Sequence, residues 1–277
     1  MGRCYQKHQE PLKIILMCYD IKATLETQLL RAERDGDAHA IEEIMERLVP
    51  FTNLPLHHSK GFDHPDLLIY TNEDPYFPMV STWGLVPEDA EDKIFWNNTL
   101  NARAETVFKL PSYRYSAKKK RCLLYCDAFY EHHHHAGKTY PFHIAKKNNK
   151  PLVLAAIWSE WRDPENNGFW NTFSIVTTEP NPLMAILHNN PKAKYGPRMP
   201  VILNEEIQED WIMPYDEHNW EKQKKHLKSL LKPYPQEELD YYTVGRLSGK
   251  QYSGNTPKIT DHIEYEEFNV DYQKWAS

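Results

Sequence analysis

The stretch RCLLYCDAFYE, residues 121–131, decides the fold. Its apolar and aromatic residues follow one another without helical spacing, which is typical of a buried strand, so we predict a strand over residues 121–130. Comparable runs occupy residues 67–70, 79–86, 140–145, 152–161 and 172–178, with few helical patterns between them. The short spacing between the predicted strands favours an α+β fold built mainly on an antiparallel sheet or open barrel, rather than on βαβ units.

Helical patterns flank these strands. A helix is predicted over residues 24–48, capped by Thr24, broken at residues 35–37 and stopped by Pro50. Shorter helices are predicted over residues 182–187, 205–212 and 220–231, a loop over 50–66 and a last strand over 241–244. We expect residues 17–277 to form a single domain, with residues 1–16 as a leader or a misassigned N-terminal extension.

Composition limits the class of protein. With 277 residues and 40% hydrophobic content, the chain is long enough to bury a large core. The net charge of −6 argues against a globally basic nucleic-acid binder but leaves room for a local basic groove. Four cysteines do not make a disulfide scaffold, and no apolar run is long enough for a membrane span. A cytoplasmic protein is predicted.

Three polar segments are candidates for chemistry, each with a plainer alternative. In an extended conformation Asn101, Arg103 and Glu105 share one face of the chain. That face is either part of a functional site or an exposed, salt-bridged surface. Glu131 is predicted to end an apolar strand, where burial would suit it to acid catalysis, although most such residues face water. His188 ends a short apolar helix, as an acid/base or as a capping residue.

These segments resemble the SRAP family (SOS response-associated peptidase-like, abasic-site processing proteins) when they are taken together and in order. The motifs that carry the resemblance are WGLVP (83–87), NARAET (101–106), residues 121–131, TFSIVTT (172–178), and His188 followed by RMPVIL (198–203). The resemblance covers roughly residues 17–211. It implies an enzyme that binds abasic sites in single-stranded DNA and links to them covalently.

The resemblance also implies the site. The linking residue in the family is a cysteine after the initiator methionine, which corresponds to Cys18 after Met17. Asn101, Glu131 and His188 correspond to active-site residues, and Arg103 to a DNA-contacting arginine. No cofactor and no metal are expected, and a monomer is expected.

The chemistry of an N-terminal cysteine fits such a role. An abasic sugar exposes an aldehyde on ring opening, and an α-amine with a pKa of about 7.7–8.0 is far more often neutral near pH 7 than a lysine amine. The amine can form a Schiff base, and the thiol can then close a thiazolidine ring. Glu131 would act as the acid/base, while β-elimination is a possible lyase side reaction.

Contacts to DNA are expected from basic and aromatic side chains. Lys119, within KKKR at residues 118–121, is a candidate for phosphate contact, Arg198 is a candidate DNA-binding residue, and Trp83 is a candidate for base stacking. The alternatives are a solvated basic surface and a tryptophan in the core.

Three features depart from the family. Residues 1–16 would block the amine of Cys18 unless translation starts at Met17 or the leader is removed. A third alternative is that Cys4 has a role, and we favour the start at Met17. The family's Trp after its Gly-Phe-Tyr-Glu is replaced by the histidine run 132–135, for which adjacent strand positions make a metal site improbable. The segment between His188 and Arg198 is lengthened.

Two other functions stay open at this point. One is a thiol peptidase that uses Cys18 and His188 and removes its own leader. The other is a binding module for single-stranded DNA whose site has lost its chemistry. A preference for abasic over intact DNA would separate the second from a covalent abasic-site protein.

Overall fold

The computed structural model describes residues 19–34, 38–165, 167–193, 195–266 and 268. The strands are β1 (Asp20–Ala23), β2 (Leu56–Lys60), β3 (Asp66–Thr71), β4 (Met79–Trp83), β5 (Asn101–Arg103), β6 (Arg121–Cys126), β7 (Ala128–His135), β8 (Lys138–Lys146), β9 (Leu152–Arg162), β10 (Phe169–Thr178), β11 (Met199–Pro200) and β12 (Leu239–Thr243). The helices are α1 (Leu25–Arg34), α2 (Ala38–Arg47), α3 (Pro111–Lys119), α4 (Pro182–Leu187), α5 (Glu205–Ile212) and α6 (Trp220–Leu230).

The strands form two sheets. A five-stranded sheet has the order β12-β8-β7-β1-β2, and all of its pairs are antiparallel. A seven-stranded sheet runs β11-β10-β4-β3-β6-β9, with β5 on β10, and the pairing of β9 with β10 closes β10, β4, β3, β6 and β9 into a barrel. Only the pairs of β10 with β4 and β5 are parallel among the pairings described. The predicted α+β class, mainly antiparallel with flanking helices, is confirmed, and the barrel is closed rather than open.

The stretch 121–131 is two strands and not one. Asp127 interrupts it, because its carboxylate accepts hydrogen bonds from the Thr24 backbone N–H at 2.7 Å and from the hydroxyls of Thr24 and Thr27 at 3.1 and 3.0 Å. The Asp127 backbone N–H donates to the Lys22 carbonyl at 2.9 Å. The predicted single strand is therefore corrected, since this turn passes the chain from the barrel to the five-stranded sheet.

Both faces of β6 are buried, which explains its continuous apolar pattern. Cys122, Leu124 and Cys126 pack in a core cluster that also contains residues of the five-stranded sheet. Leu123 and Tyr125 pack in a second cluster with residues of the helices. One strand thus contributes side chains to both core clusters.

Most predicted elements are confirmed. The bounds of α4 and α5 match the prediction, and the predicted helix over residues 24–48 is observed as α1 and α2, with Thr24 Oγ1 accepting from the Thr27 N–H at 3.3 Å. The predicted loop 50–66 contains β2, and α3 was not predicted, because its lysines resemble a solvated loop while only Tyr113, Ser116 and Ala117 are buried. Within the described residues no helix is long and apolar enough to cross a membrane.

Candidate active site

Two side chains from distant segments meet at the centre of the site. Glu131 lies within β7, and His188 follows the last residue of α4 as its C-terminal cap. The Glu131 Oε1 atom lies 3.3 Å from His188 Nδ1, and both side chains are almost fully buried. His188 Nδ1 also lies 3.2 Å from the Arg198 carbonyl oxygen. Because both neighbours are acceptors when the carboxyl is ionised, Nδ1 carries the hydrogen.

The Glu131 carboxylate keeps an unused acceptor. Its Oε1 atom is buried and makes no hydrogen bond among the described residues, since the contact with His188 is an ion-pair distance without hydrogen-bond alignment. Buried polar atoms are nearly always hydrogen-bonded, and exceptions occur at catalytic positions. We conclude that Glu131 is oriented for a partner other than the side chains of the described fold. The prediction that Glu131 ends its strand is wrong, because β7 continues to His135.

A cavity of about 290 Å³ opens beside this pair. It lies where β7 extends beyond β1, since β1 pairs with residues 128–130 of β7 only, whereas β8 pairs with β7 as far as His135. Its lining is contributed by five separate segments of the chain: Tyr19, Asp20, Lys60, Phe62, Glu131, His132, His134, Thr139, His188, Asn190, Leu247 and Ser248.

Cys18 lies outside the described residues. Its chain neighbour Tyr19 lines the cavity and is buried, with its ring centroid 4.6 Å from that of Phe62. The role of Cys18 therefore stays a prediction.

Asn101 and Arg103 lie on β5, which runs parallel to β10 with Arg103 opposite Thr177. Asn101 is buried, and its carbonyl accepts from the Tyr113 hydroxyl at 3.2 Å. The Arg103 guanidinium lies 4.1 Å from the centroid of the Tyr195 ring, in the lengthened segment that follows His188. Neither residue lines the cavity beside Glu131. Their predicted roles stay predictions.

Arg198 is a structural residue, which corrects its prediction as a DNA-binding residue. Its guanidinium is buried and donates to both Glu105 carboxylate oxygens at 3.1 and 2.9 Å and to the Thr177 hydroxyl and carbonyl at 3.2 and 2.9 Å. Burial alone would raise the pKa of Glu105, but the hydrogen bonds and charge of Arg198 lower the pKa below its ordinary value. Arg198 also holds His188 through its carbonyl.

Trp83 is a core residue, so the expectation that it stacks on DNA bases is corrected. The side chain is fully buried, donates its indole N–H to the Leu100 carbonyl at 2.8 Å and stacks near Phe173. The approach is close enough that a methyl group on Gly61 would lie 3.2 Å from the indole ring. No face of this ring is open to a base.

The basic segment at residues 118–121 divides into lysines that are partly or fully exposed and a buried arginine. Lys119 is exposed at the end of α3, with its amine 5.4 Å from the Tyr215 ring, and it does not line the cavity. Arg121 is fully buried and donates to the backbone carbonyls of Ala117, Lys118, Trp211 and Met213. Phosphate contact stays a prediction for Lys119 and is wrong for Arg121.

The histidine run has separate roles along β7. His133 is buried, with Nδ1 2.9 Å from the Ile186 carbonyl, whereas His132 and His134 line the cavity. Burial lowers the pKa of His134, and the nearby His132, His188 and Lys192 lower that pKa further. Among the described residues no group of three histidine, cysteine or acidic side chains is arranged to hold a metal ion.

Several residues of the cavity were not anticipated from the sequence. Asp20, Lys60 and Phe62 were missed because residues 50–66 were interpreted as a loop and β1 was not predicted. The five residues LHHSK between Pro55 and Gly61 are flanked by turn-forming residues, and that pattern could have indicated β2. Nothing in the local pattern indicates that Asp20 faces the same cavity as Glu131.

Fold and site together define a mixed α+β protein in which a closed barrel and an adjoining sheet hold a buried carboxylate–imidazole pair beside a cavity. The chain belongs to the SRAP family: the family profile described as SOS response associated peptidase (SRAP) matches residues 17–250. The resemblance seen in the motifs is thereby confirmed.

Named relatives and a solved structure agree with this membership. Abasic site processing protein YoqW of Bacillus subtilis (strain 168) is 34% identical over 180 residues, which are 65% of this chain and 74% of that protein. Abasic site processing protein HMCES of Gallus gallus is 29% identical over 158 residues, 48% of this chain and 44% of that protein. The crystal structure of a protein from Bacteroides thetaiotaomicron superposes with a TM-score of 0.73 at 28% identity, over 89% of this chain and 100% of that one.

Proposed function

We propose that this protein recognises abasic sites in single-stranded DNA and forms a reversible thiazolidine crosslink with them through the amine and thiol of Cys18. The observation that carries the proposal is the buried Glu131 carboxylate, with an unused acceptor and His188 at 3.3 Å, beside a cavity that Tyr19 also lines. Family membership and the names of the relatives support the class of substrate.

The reaction divides into two condensations. The amine of Cys18 adds to the aldehyde carbon of the ring-opened sugar, and the carbinolamine loses water to give an iminium. The thiolate of Cys18 then adds to the same carbon and closes the thiazolidine ring, which removes the positive charge. Glu131 gives a proton to the leaving hydroxyl and takes it back on reversal. His188 stabilises the ring-opened sugar or moves a proton, and Asn101 orients the amine or the sugar.

The amine must be free, so residues 1–16 decide whether the chemistry is possible. The test compares protein that begins at Cys18 with protein that retains residues 1–16, each incubated with single-stranded DNA containing one abasic site. We expect a heat-stable crosslink only from the first protein and none from its Cys18→Ala variant. An equal crosslink from the full chain would contradict the N-terminal mechanism.

The role of Glu131 is tested in the same assay. Glu131→Gln keeps the shape of the side chain but removes the acid, so we expect crosslink formation to slow by about 100- to 10,000-fold. Glu160→Gln, on the exposed face of β9, is the matched control and should react as the parent protein does. A Glu131→Gln protein that crosslinks at the parent rate would exclude acid catalysis by this residue.

A thiol peptidase that removes its own leader is the second candidate, and the family's description as a peptidase is what favours it. Mass spectrometry of the full chain over time separates the two. If residues 1–16 are lost over time, and if this loss is abolished by replacing Cys18 or His188, the result supports the peptidase. If residues 1–16 stay attached, the proposed substrate of the peptidase is not cleaved and this candidate is rejected. Equal affinity for abasic and intact DNA without a crosslink would instead indicate a binding module.

A further inference from the structure

The segment between His188 and Arg198 is a loop whose two ends meet at the candidate active site. His188 Nδ1 lies 3.2 Å from the Arg198 carbonyl oxygen, although the two residues are ten positions apart in the chain. The described residues between them are 189–193 and 195–197, and we call them the active-site loop. Compact surface loops with close ends are frequently functional.

The start of the active-site loop is anchored to the cavity wall. Asn189 Oδ1 accepts from the His134 backbone N–H at 2.6 Å, and Asn189 Nδ2 donates to the His134 carbonyl at 2.9 Å. Asn190 lines the cavity beside Glu131. Burial lowers the pKa of His134, and Lys192 is among the charges that lower it further. The exposed Lys192 amine therefore lies within electrostatic reach of the cavity.

The far side of the active-site loop reaches the end of β5. Tyr195 is exposed, and its ring centroid lies 4.1 Å from the guanidinium carbon of the half-buried Arg103. Among the described residues the Arg103 guanidinium makes no hydrogen bond and no ion pair, because the carboxylate of Glu105 is bound by Arg198. An aromatic ring thus holds a planar fork of donors that is open to an anion.

We propose that the active-site loop binds DNA phosphates, with Arg103 and Lys192 as the contacts and Tyr195 as the residue that positions Arg103. The inference rests on the proposed function and deepens it. A guanidinium binds a phosphodiester through paired hydrogen bonds, whereas a lysine acts as a point charge. Because both ends of the loop lie at the active site, the phosphates bound on it flank the nucleotide that enters the cavity.

Binding without chemistry tests this proposal. The Kd of the full chain is measured for a single-stranded oligonucleotide with a central tetrahydrofuran analogue of the abasic site, which has no aldehyde, and for the same oligonucleotide intact. Each Kd is determined from about 50 to 200 mM salt. Every phosphate contact to a single strand contributes about 0.7 to the slope of log K against log salt concentration.

For Tyr195→Leu we expect the Kd to weaken by about 2- to 5-fold, because the ring that orients the guanidinium is lost. Tyr195→Phe keeps the ring and should bind as the parent does. Arg103→Gln should lower the salt slope by about 0.7. Adding Tyr195→Leu to Arg103→Gln should change nothing further, since the ring then has no guanidinium to hold. A purely structural role of Tyr195 would weaken binding equally in both backgrounds.

Lys192→Gln should also lower the salt slope by about 0.7. Tyr76→Leu is the control for Tyr195, since Tyr76 is exposed and its ring centroid lies 5.0 Å from the guanidinium carbon of Arg31. Lys147→Gln is the control for Lys192. Lys147 is exposed just beyond the end of β8 that is remote from the cavity. Neither control should change the Kd or the slope.

Several results would overturn the inference. An unchanged Kd in Tyr195→Leu excludes the positioning role, and a tighter Kd shows that the ring covers Arg103 instead of presenting it. Equal weakening by Tyr195→Leu in the parent and in Arg103→Gln also decides against it. The parent's slope in Lys192→Gln removes that contact.

The proposed function fails on a different result. A parent protein that binds both oligonucleotides equally and forms no crosslink with abasic DNA contradicts recognition of the lesion, while the loop variants still decide the phosphate contacts. A parent protein that binds neither oligonucleotide overturns the loop inference as well.

Discussion

At the scale of single residues, the site depends on side chains that hold other side chains. Arg198 is buried and does not line the cavity. Its carbonyl accepts a hydrogen bond from His188, and its guanidinium binds Glu105 and Thr177. An arginine buried in this way needs its carboxylate partner, because an unpaired buried charge is strongly destabilising. Glu105 therefore helps to position His188 indirectly, through Arg198.

Glu105→Gln should lower stability by about 1 kcal/mol at pH 7, a small value because half of the Glu105 side chain is exposed to solvent. The pKa of Glu105 is lower in the folded protein than its ordinary value of 4.5, so the stabilisation is complete above pH 4.5 and is lost as pH falls through the folded pKa.

Thermal unfolding of the parent and Glu105→Gln proteins from pH 7 to pH 3 measures this dependence. The difference in Tm should shrink below pH 4.5. Glu91→Gln, at an exposed position, serves as the control and should unfold as the parent does throughout. A Tm difference that is constant across this range would show that the charge of Glu105 is not what stabilises the fold.

At the scale of elements, the turn at Asp127 joins β6, β7, β1 and α1. The carboxylate of Asp127 binds the backbone and hydroxyl groups at the start of α1, where N–H groups lack helical partners. The same turn separates the barrel from the five-stranded sheet that carries Glu131. Its geometry thereby sets where β7 begins relative to β1, and hence where the cavity opens.

Asp127→Ala should destabilise the protein by about 2 kcal/mol, because it removes three hydrogen bonds to a charged acceptor at the start of α1. Asp127→Asn keeps one acceptor oxygen and should lose about half as much. Urea unfolding measures both, with Asp240→Ala at an exposed position of β12 as control. Equal stability of the alanine variant and the parent would show that these hydrogen bonds do not stabilise the fold.

At the scale of the whole molecule, a buried imidazole packs between aromatic side chains of the five-stranded sheet. His143 on β8 stacks on Tyr242 and packs edge-on to Tyr130, and neither ring nitrogen makes a hydrogen bond among the described residues. Burial lowers the pKa of His143 from 6.5 to about 4, and Lys22 adds to that effect. The ring is therefore neutral in the folded protein at physiological pH.

The global stability should consequently depend on pH. Because the folded pKa of His143 lies below the unfolded one, the unfolded chain binds more protons between pH 6.5 and pH 4, and stability falls as pH falls through this window. The loss attributable to His143 is up to about 3 kcal/mol. Replacement by phenylalanine preserves the stacking and should flatten the dependence, as measured by denaturant unfolding at several pH values.

His218→Gln, at an exposed position, is the matched control and should retain the slope of the parent. A His143→Phe protein with the parent's full loss of stability between pH 6.5 and pH 4 would place the titrating group elsewhere.

The sequence alone determined the elements whose pattern is local and the family whose motifs are ordered along the chain. Apolar runs are enough to specify β3, β8, β9 and β10, and helical spacing with terminal prolines is enough for α4. The motifs also select Glu131 and His188, whose side chains approach to 3.3 Å in the structure.

Only the tertiary structure decided what those side chains contact. Segments that are remote in the chain pack together and bury Trp83, Arg121 and Arg198. Remote segments also supply the hydrogen bonds that link Asp20 to His58 and His58 to Tyr252. An exposed arginine and a buried one have the same local pattern, because the free energy that separates them comes from partners supplied by packing. The periodicity of a sequence indicates which face of a helix or strand is buried. Only the fold determines which side chains from different segments contact one another at that buried face.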